Sequence, residues 1–325
     1  MAFKGQDDAV ETKLKSTIRA ARPLFGELVC VGAAFLISTS AHSQNLFASV
    51  NHYIIECNPG DTYSTFGNAG GSLGTQILGM AFDGSGNLFV ASAGGGVGAI
   101  YKFTPGGAES TFATGLDGPW SLAFNNAGTL FMGDASGKIS EFTPSGVQST
   151  FASGLDTPYA TALAFNSAGD LFVGESYNGT PNSGYIDEIT PSGVVSTFAT
   201  GLENPYALAF NSAGDLFAAD FNTGIIYEYA VNGARRIFAS GLSNPEGMAF
   251  NNAGNLFVSN SGGNNIYEYT PSGARSTFFT LPPGSLAIDA LAFQGETLPV
   301  PEPSVFGLLT AGAAALFIRR RQSAV

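Results

Sequence analysis

The chain has 325 residues, of which only 12% are charged where about 25% is usual, and its formal net charge is -12. Thirteen Lys and Arg against 25 Asp and Glu exclude a phosphate-backbone binder as the first reading, and two Cys exclude a disulfide-rich scaffold. Two His leave little for a His-rich metal site, while 27 Phe and 11 Tyr supply more core than a disordered chain carries.

Residues 1–43 read as a secretory signal with a long n-region. Lys4, Lys13, Lys15, Arg19 and Arg22 supply its positive charge, and Leu28 to Ile37 form a ten-residue apolar stretch. Ten residues are too few to span a bilayer, which takes about 20. Ala41 and Ser43 put small side chains at the -3 and -1 positions of a cleavage site, so the mature chain is predicted to begin at Gln44.

From Gln44 onward the chain repeats. An apolar-Ala-Phe triplet occurs at Met80–Phe82, Leu122–Phe124, Leu163–Phe165, Leu208–Phe210, Met248–Phe250 and Leu291–Phe293. Its spacing of 40–45 residues, with four short strand-like runs per unit and no helical periodicity, predicts β-propeller blades. In the unit from Asn204, strand a is predicted at Ala207–Phe210, b at Asp215–Ala219, c at Ile225–Tyr229 and d at Arg235–Phe238. An Asn-x-Ala-Gly turn joins a to b, and Thr-Pro-Ser-Gly joins c to d in three units. The middle Ala of the triplet is expected where innermost strands crowd the axis.

The sixth triplet has no complete unit after it. The missing strands b, c and d are found at the other end, at Asn45–Ala48, Tyr53–Cys57 and Thr62–Phe66. The expected fold is therefore all-β, a six-bladed propeller over 44–298 closed by a shared blade of three strands plus one, which leaves no free edges. Cys57 falls at a core position of strand c, and His52 in a surface loop. Glu56, Glu141, Glu188, Glu228 and Glu268 recur in strand c, with Lys102 in the remaining blade, and read as a solvated outer face.

This repeat resembles the NHL and gluconolactonase/regucalcin-like propellers. The resemblance rests on a Pro before the apolar-Ala-Phe strand, then Asn-x-Ala-Gly-x-Leu-Phe-Val, an acidic residue, and Ile-Tyr-Glu-Tyr-Thr-Pro-x-Gly. It implies the fold and leaves the activity open, because propellers host binding modules, hydrolases and lyases.

Two sets of positions are candidates for chemistry. Just after strand b stand Asp134, Glu175, Asp220 and Asn260, hard oxygen ligands that on one ring could hold Ca²⁺, or that cap the b–c loops one blade at a time. In gluconolactonase-like enzymes metal ligands lie just before strand a. The matching positions here are Trp120, Tyr206 and Glu246, with Tyr159 or Ala160 in the unit with extra residues, so only Glu246 would serve as a ligand. Trp120, Tyr159 and Tyr206 read either as a sugar-stacking rim or as packing between blades.

The last 27 residues, 299–325, form a third segment. Pro301-Glu302-Pro303 precedes an almost wholly apolar run, about 304–318, and then Arg319, Arg320 and Arg321. This order resembles the PEP-CTERM sorting signal of exopolysaccharide-producing Gram-negative bacteria. It implies a short transmembrane helix with its arginines held on the cytoplasmic side. It also implies export through the Sec machinery, removal of the tail by an exosortase, and a destination at the cell surface or matrix. The expected function is a binding or scaffold module there, for exopolysaccharide or another surface protein. The alternative is a metal-dependent hydrolase of the gluconolactonase type.

Overall fold

A computed structural model describes residues 44–295 except 59, 70–75, 94–97, 156–158 and 177–182. The expected cleavage residues Ala41 and Ser43, the tripeptide Pro301-Glu302-Pro303, the apolar segment 304–318 and Arg319 to Arg321 lie outside the described residues. Among the described residues no helix is long and apolar enough to cross a membrane.

Alternating apolar residues punctuated by Asn-Gly turns produce six four-stranded antiparallel sheets, the blades of a propeller. The a–b turn is built locally: Asn211 Oδ1 accepts the N–H groups of Ala213 and Asp215 at 3.0 and 2.8 Å, and Gly214 takes the left-handed φ of +89° that the turn requires. Strands a are Ile77–Phe82, Pro119–Phe124, Tyr159–Phe165, Pro205–Phe210, Pro245–Phe250 and Leu291–Phe293. Strands b are Leu46–Val50, Leu88–Ser92, Leu130–Asp134, Leu171–Ser176, Leu216–Asp220 and Leu256–Asn260. Blades are numbered 1 to 6 in the order of these b strands.

Closure is of the expected kind. Leu291–Phe293 pairs antiparallel with Leu46–Val50, placing Leu46 opposite Phe293 and Ala48 opposite Leu291, and completes blade 1 with strands Tyr53–Asn58 and Thr62–Asn68.

One phenylalanine arrangement recurs around the whole ring. The strand-b residue of each blade meets the strand-d phenylalanine of its own blade and the triplet phenylalanine of the next. Phe172 lies 5.0 Å from Phe198 and 5.0 Å from Phe210, Phe217 lies 5.0 Å from Phe238 and 5.1 Å from Phe250, and Phe257 lies 4.9 Å from Phe278 and 5.0 Å from Phe293. These edge-on contacts use the aromatic quadrupole and add to the area buried between blades. The Leu or Met and the Phe of each triplet pack on the preceding blade, and the Ala faces the following one. Leu208 and Phe210 thus join blade 4, whereas Ala209 joins blade 6.

Cys57 is buried in this core, which pushes its thiol up to about 12, far from the thiolate a nucleophile needs. His52 is half-buried in the b–c turn of blade 1, its ring 4.1 Å from that of Tyr53. The strand-c glutamates differ from the expected solvated face. Glu228 is buried and ion-paired with Arg236, Glu268 accepts from Asn255 Nδ2 at 2.7 Å, and Glu56, Glu141 and Glu188 are half-buried.

Candidate functional site

At the end of the propeller where strands a begin, each blade sends one side chain into a central mouth. These are Leu78, Trp120, Thr161, Tyr206, Glu246 and Asp289, around a cavity of ≈ 20 Å³, room for about one water. The local cause is a β-bulge. Pairing with strand b slips between Ile77 and Gly79, Pro119 and Ser121, Ala160 and Ala162, Pro205 and Ala207, and Pro245 and Met248. The extra residue at each slip has no partner in the ladder and is re-aimed, as bulges do beside functional sites.

The ring is two-sided. Trp120 and Tyr206, from blades 3 and 5, have ring centroids 6.0 Å apart because the intervening blade 4 contributes only the small Thr161. Tyr159 lies behind them at 5.6 Å from Trp120, and Phe221 stacks on Tyr206 at 4.8 Å. Opposite stand two carboxyls, Glu246 of blade 6 and Asp289 of blade 1. Ser261 Oγ donates to Glu246 Oε1 at 2.9 Å, and Gln76 Nε2 donates to Asp289 Oδ2 at 3.2 Å.

The two acids share a hydrogen bond. Burial first, then Asp289, raises the Glu246 carboxyl to about 8 from an ordinary 4.5; burial also raises Asp289, opposed by its hydrogen bonds to Glu246 and Gln76. Both acids are thus held above their ordinary values, as expected of two buried carboxyls that resist ionising together at contact. Burial, then the charges of Glu246 and Asp289, also push the Tyr206 phenol up to about 12. The aromatic and acidic halves of the mouth thus share one electrostatic environment.

Backbone contacts set this pair. Ser259 Oγ accepts the Gly247 N–H at 2.7 Å and donates to the Asp289 carbonyl at 2.9 Å, tying the residue after Glu246 to the neighbouring blade. Ser121 and Thr161 make comparable inter-blade bonds, to the Ala160 carbonyl at 2.9 Å and the Pro205 carbonyl at 2.7 Å. These buried hydroxyls hold the bulges in register.

The second candidate set sits one strand further out, at the ends of strands b, and the structure gives its members separate work. Asp134 Oδ1 accepts the N–H groups of Ser136 and Lys138 at 2.9 and 3.0 Å, closing its own b–c turn, with Lys138 Nζ 3.7 Å from Oδ2. Asp220 accepts from the Glu203 and Asn204 N–H groups at 2.9 and 3.0 Å. Asn260 accepts from the Ser243 N–H at 2.6 Å and donates to Asn265 Oδ1 at 2.9 Å. Glu175 is fully buried in strand b of blade 4. Among the described residues no group of three or more His, Cys, Asp or Glu side chains is placed to hold a metal ion.

Sequence reasoning placed Trp120, Tyr206 and Glu246 in one series, and the structure brings all three to the mouth. In blade 4 the ring residue is Thr161, where Tyr159 or Ala160 was expected; Tyr159 touches the ring from behind, and Ala160 is buried. Leu78 and Asp289 were missed. Their signal is a fixed count: each ring residue stands two before the Leu or Met of its triplet, as Glu246 does before Met248 and Asp289 before Leu291.

Comparisons with known proteins bear on both the fold and the tail. The PEP-CTERM protein-sorting motif matches residues 299–321. Among solved structures, the chain resembles a protein of a nidogen/laminin complex at 17% identity and TM-score 0.67, over 78% of this chain and 100% of that one. It resembles a putative gluconolactonase at 15% and 0.57, over 66% and 80%, and virginiamycin B lyase from Staphylococcus aureus at 18% and 0.53, over 67% and 77%. At such identities the likeness shows the fold. No curated protein matches the chain. The protein is a six-bladed β-propeller carrying a C-terminal sorting signal. That signal directs export across the inner membrane to the cell surface or extracellular matrix and implies processing by an exosortase.

Proposed function

We propose that the protein is a binding and scaffold module of the cell surface or matrix that takes polysaccharide on the aromatic half of its mouth. The carrying observation is the arc of Trp120, Tyr159 and Tyr206, whose rings lie within 6.0 Å of Trp120 beside the two carboxyls. An aromatic ring flanked by hydrogen-bonding groups suits a sugar ring. With only ≈ 20 Å³ inside the mouth, far below the ~300 Å³ of a small-molecule pocket, a ligand lies across the rim. The sorting signal supports a surface address, and its resemblance to signals of exopolysaccharide producers supports that polymer as ligand. In this reading residues 1–43 are a removed leader, 44–298 the working domain and 299–325 the sorting segment, with 304–318 in the membrane during export.

The test is retention of the full chain on the host's own polysaccharide. Trp120→Ala is expected to weaken retention about tenfold, the order of one well-placed aromatic contact. Undiminished retention would remove the aromatic rim from the account.

A second reading, a hydrolase of the gluconolactonase type, is favoured by the position of Glu246 and by the structural likeness to a putative gluconolactonase. Lactone hydrolysis by the full chain that disappears with a chelator and in Glu246→Gln would establish it.

A further inference from the structure

We infer that the sugar taken at this mouth is an amino sugar with a free, protonated amine, its ring on the aromatic arc and its ammonium on the Glu246–Asp289 pair. This deepens the carbohydrate reading and rests on it. The cavity is lined by one side chain per blade, and the two halves differ in chemistry: Trp120 and Tyr206 on one side, Glu246 and Asp289 on the other. A neutral sugar would use the aromatic half and leave the two adjacent carboxyls opposite without a cationic counterpart. A simple metal cation would use the acids and leave the aromatic half idle, and the two carboxyls alone are too few ligands for it.

A cationic ring answers both halves. Its ammonium offers three N–H donors to the carboxyl oxygens of Glu246 and Asp289, and its positive charge is attracted to the neighbouring aromatic rings of Trp120 and Tyr206. Desolvation raises the yield of such contacts, and Asp289, only 5% exposed, is well shielded from water. The anchoring is rigid: Ser261, Gln76 and the Ser259 bridge hold the acids from behind, so little order has to be gained on binding.

The chain contains a single tryptophan, and it is Trp120. Its fluorescence therefore reports on this mouth alone. The experiment titrates the full chain, at about pH 6.5 where such amines are protonated, with a β-linked glucosamine tetramer, its N-acetylated counterpart, a neutral glucose tetramer and spermine. A saturable Trp120 signal is expected with the glucosamine tetramer at about tenfold lower concentration than with either uncharged tetramer. The double variant Glu246→Gln/Asp289→Asn, which leaves no carboxyl at the mouth, should erase that preference. Equal binding of all three tetramers would overturn the amino-sugar assignment and leave the carbohydrate reading standing. A Trp120 signal with no tetramer would take down both. Spermine matching the glucosamine tetramer would show attraction to charge without recognition of the ring, and would also overturn the assignment. The comparison of tetramers needs only the unmodified chain, so a misfolded variant does not blunt it.

Discussion

Gly247 and Asp289 meet backbone to backbone: a Cβ on Gly247 would lie 2.5 Å from the Asp289 carbonyl oxygen. Only glycine permits that approach between blades 6 and 1, and the approach is what brings Glu246 into hydrogen bonding with Asp289. Gly247→Ala is expected to cost about 1–3 kcal/mol through forced backbone displacement. It should also lower the Glu246 pKa toward the ordinary value, because the acids are pushed apart. Thermal unfolding and carboxyl titration by NMR measure the two effects. An unshifted Glu246 in a destabilised variant would show that the pair does not depend on this contact.

The acid pair makes stability pH-dependent in a defined direction. Between an unfolded value of 4.5 and a folded value of about 8, the folded chain keeps on Glu246 a proton that the unfolded chain has released. The stabilisation is complete below about 4.5 and is lost as pH rises through about 8. Glu246→Gln retains the hydrogen bonding without the titration. At alkaline pH it is expected to melt above the unmodified chain by about 2–4 °C, the equivalent of roughly 1 kcal/mol. The difference in melting temperature between the two chains, followed across pH, is the measurement; a constant difference would contradict the shared proton.

Closure through blade 1 predicts where the ring is most easily opened. Phe293 sits on the short closing strand, 5.0 Å from Phe257 of blade 6 and opposite Leu46 in the sheet. Phe293→Ala is expected to cost about 3–5 kcal/mol. It should also speed amide exchange at Leu46–Ala48, the residues paired with that strand, ahead of exchange in blades 3 to 5. Uniform acceleration around the ring would mean that the seam is no weaker than the rest.

Asp220 serves the backbone that leads into strand a. It accepts from two N–H groups, those of Glu203 and Asn204, and is fully buried. Asp220→Ala orphans both donors and is expected to cost about 1–3 kcal/mol. If this acid works only on its own blade, a chelator leaves the melting temperature of the unmodified chain unchanged. A fall on chelation would favour the bound-ion alternative for this set of residues.

Much of this was legible because it is local and repeated. The Asn-x-Ala-Gly turns fold on bonds between residues two and four apart, so one unit could be read as a blade and the rest by analogy. The three-plus-one closure followed from counting strands at the two ends. The mouth was only half legible. Trp120, Tyr206 and Glu246 were found by counting back from the apparent start of strand a, and that start is blurred by the bulge. In blade 4 the count stopped short of Thr161, and Asp289, ahead of an isolated closing strand, was passed over. The outer acids Asp134 and Asp220 were recognised as a repeated series, but a series does not reveal which N–H groups each carboxylate faces.

The composition that argued against a phosphate-backbone binder and a disulfide-rich scaffold also narrows once divided. Twenty of the acids and only five of the bases fall in residues 44–298, so the basic residues belong mostly to the two ends. Sequence by itself determined the propeller, its six blades, its closure and its sorting signal, since each is written in spacing along the chain. Only the tertiary structure decided that Glu246 and Asp289, 43 residues apart, meet in a hydrogen bond opposite an aromatic wall. That outcome depends on which side chains five separate bulges and the segment before the closing strand aim at one axis, and on how closely two blades approach, and neither quantity is written in the spacing of residues.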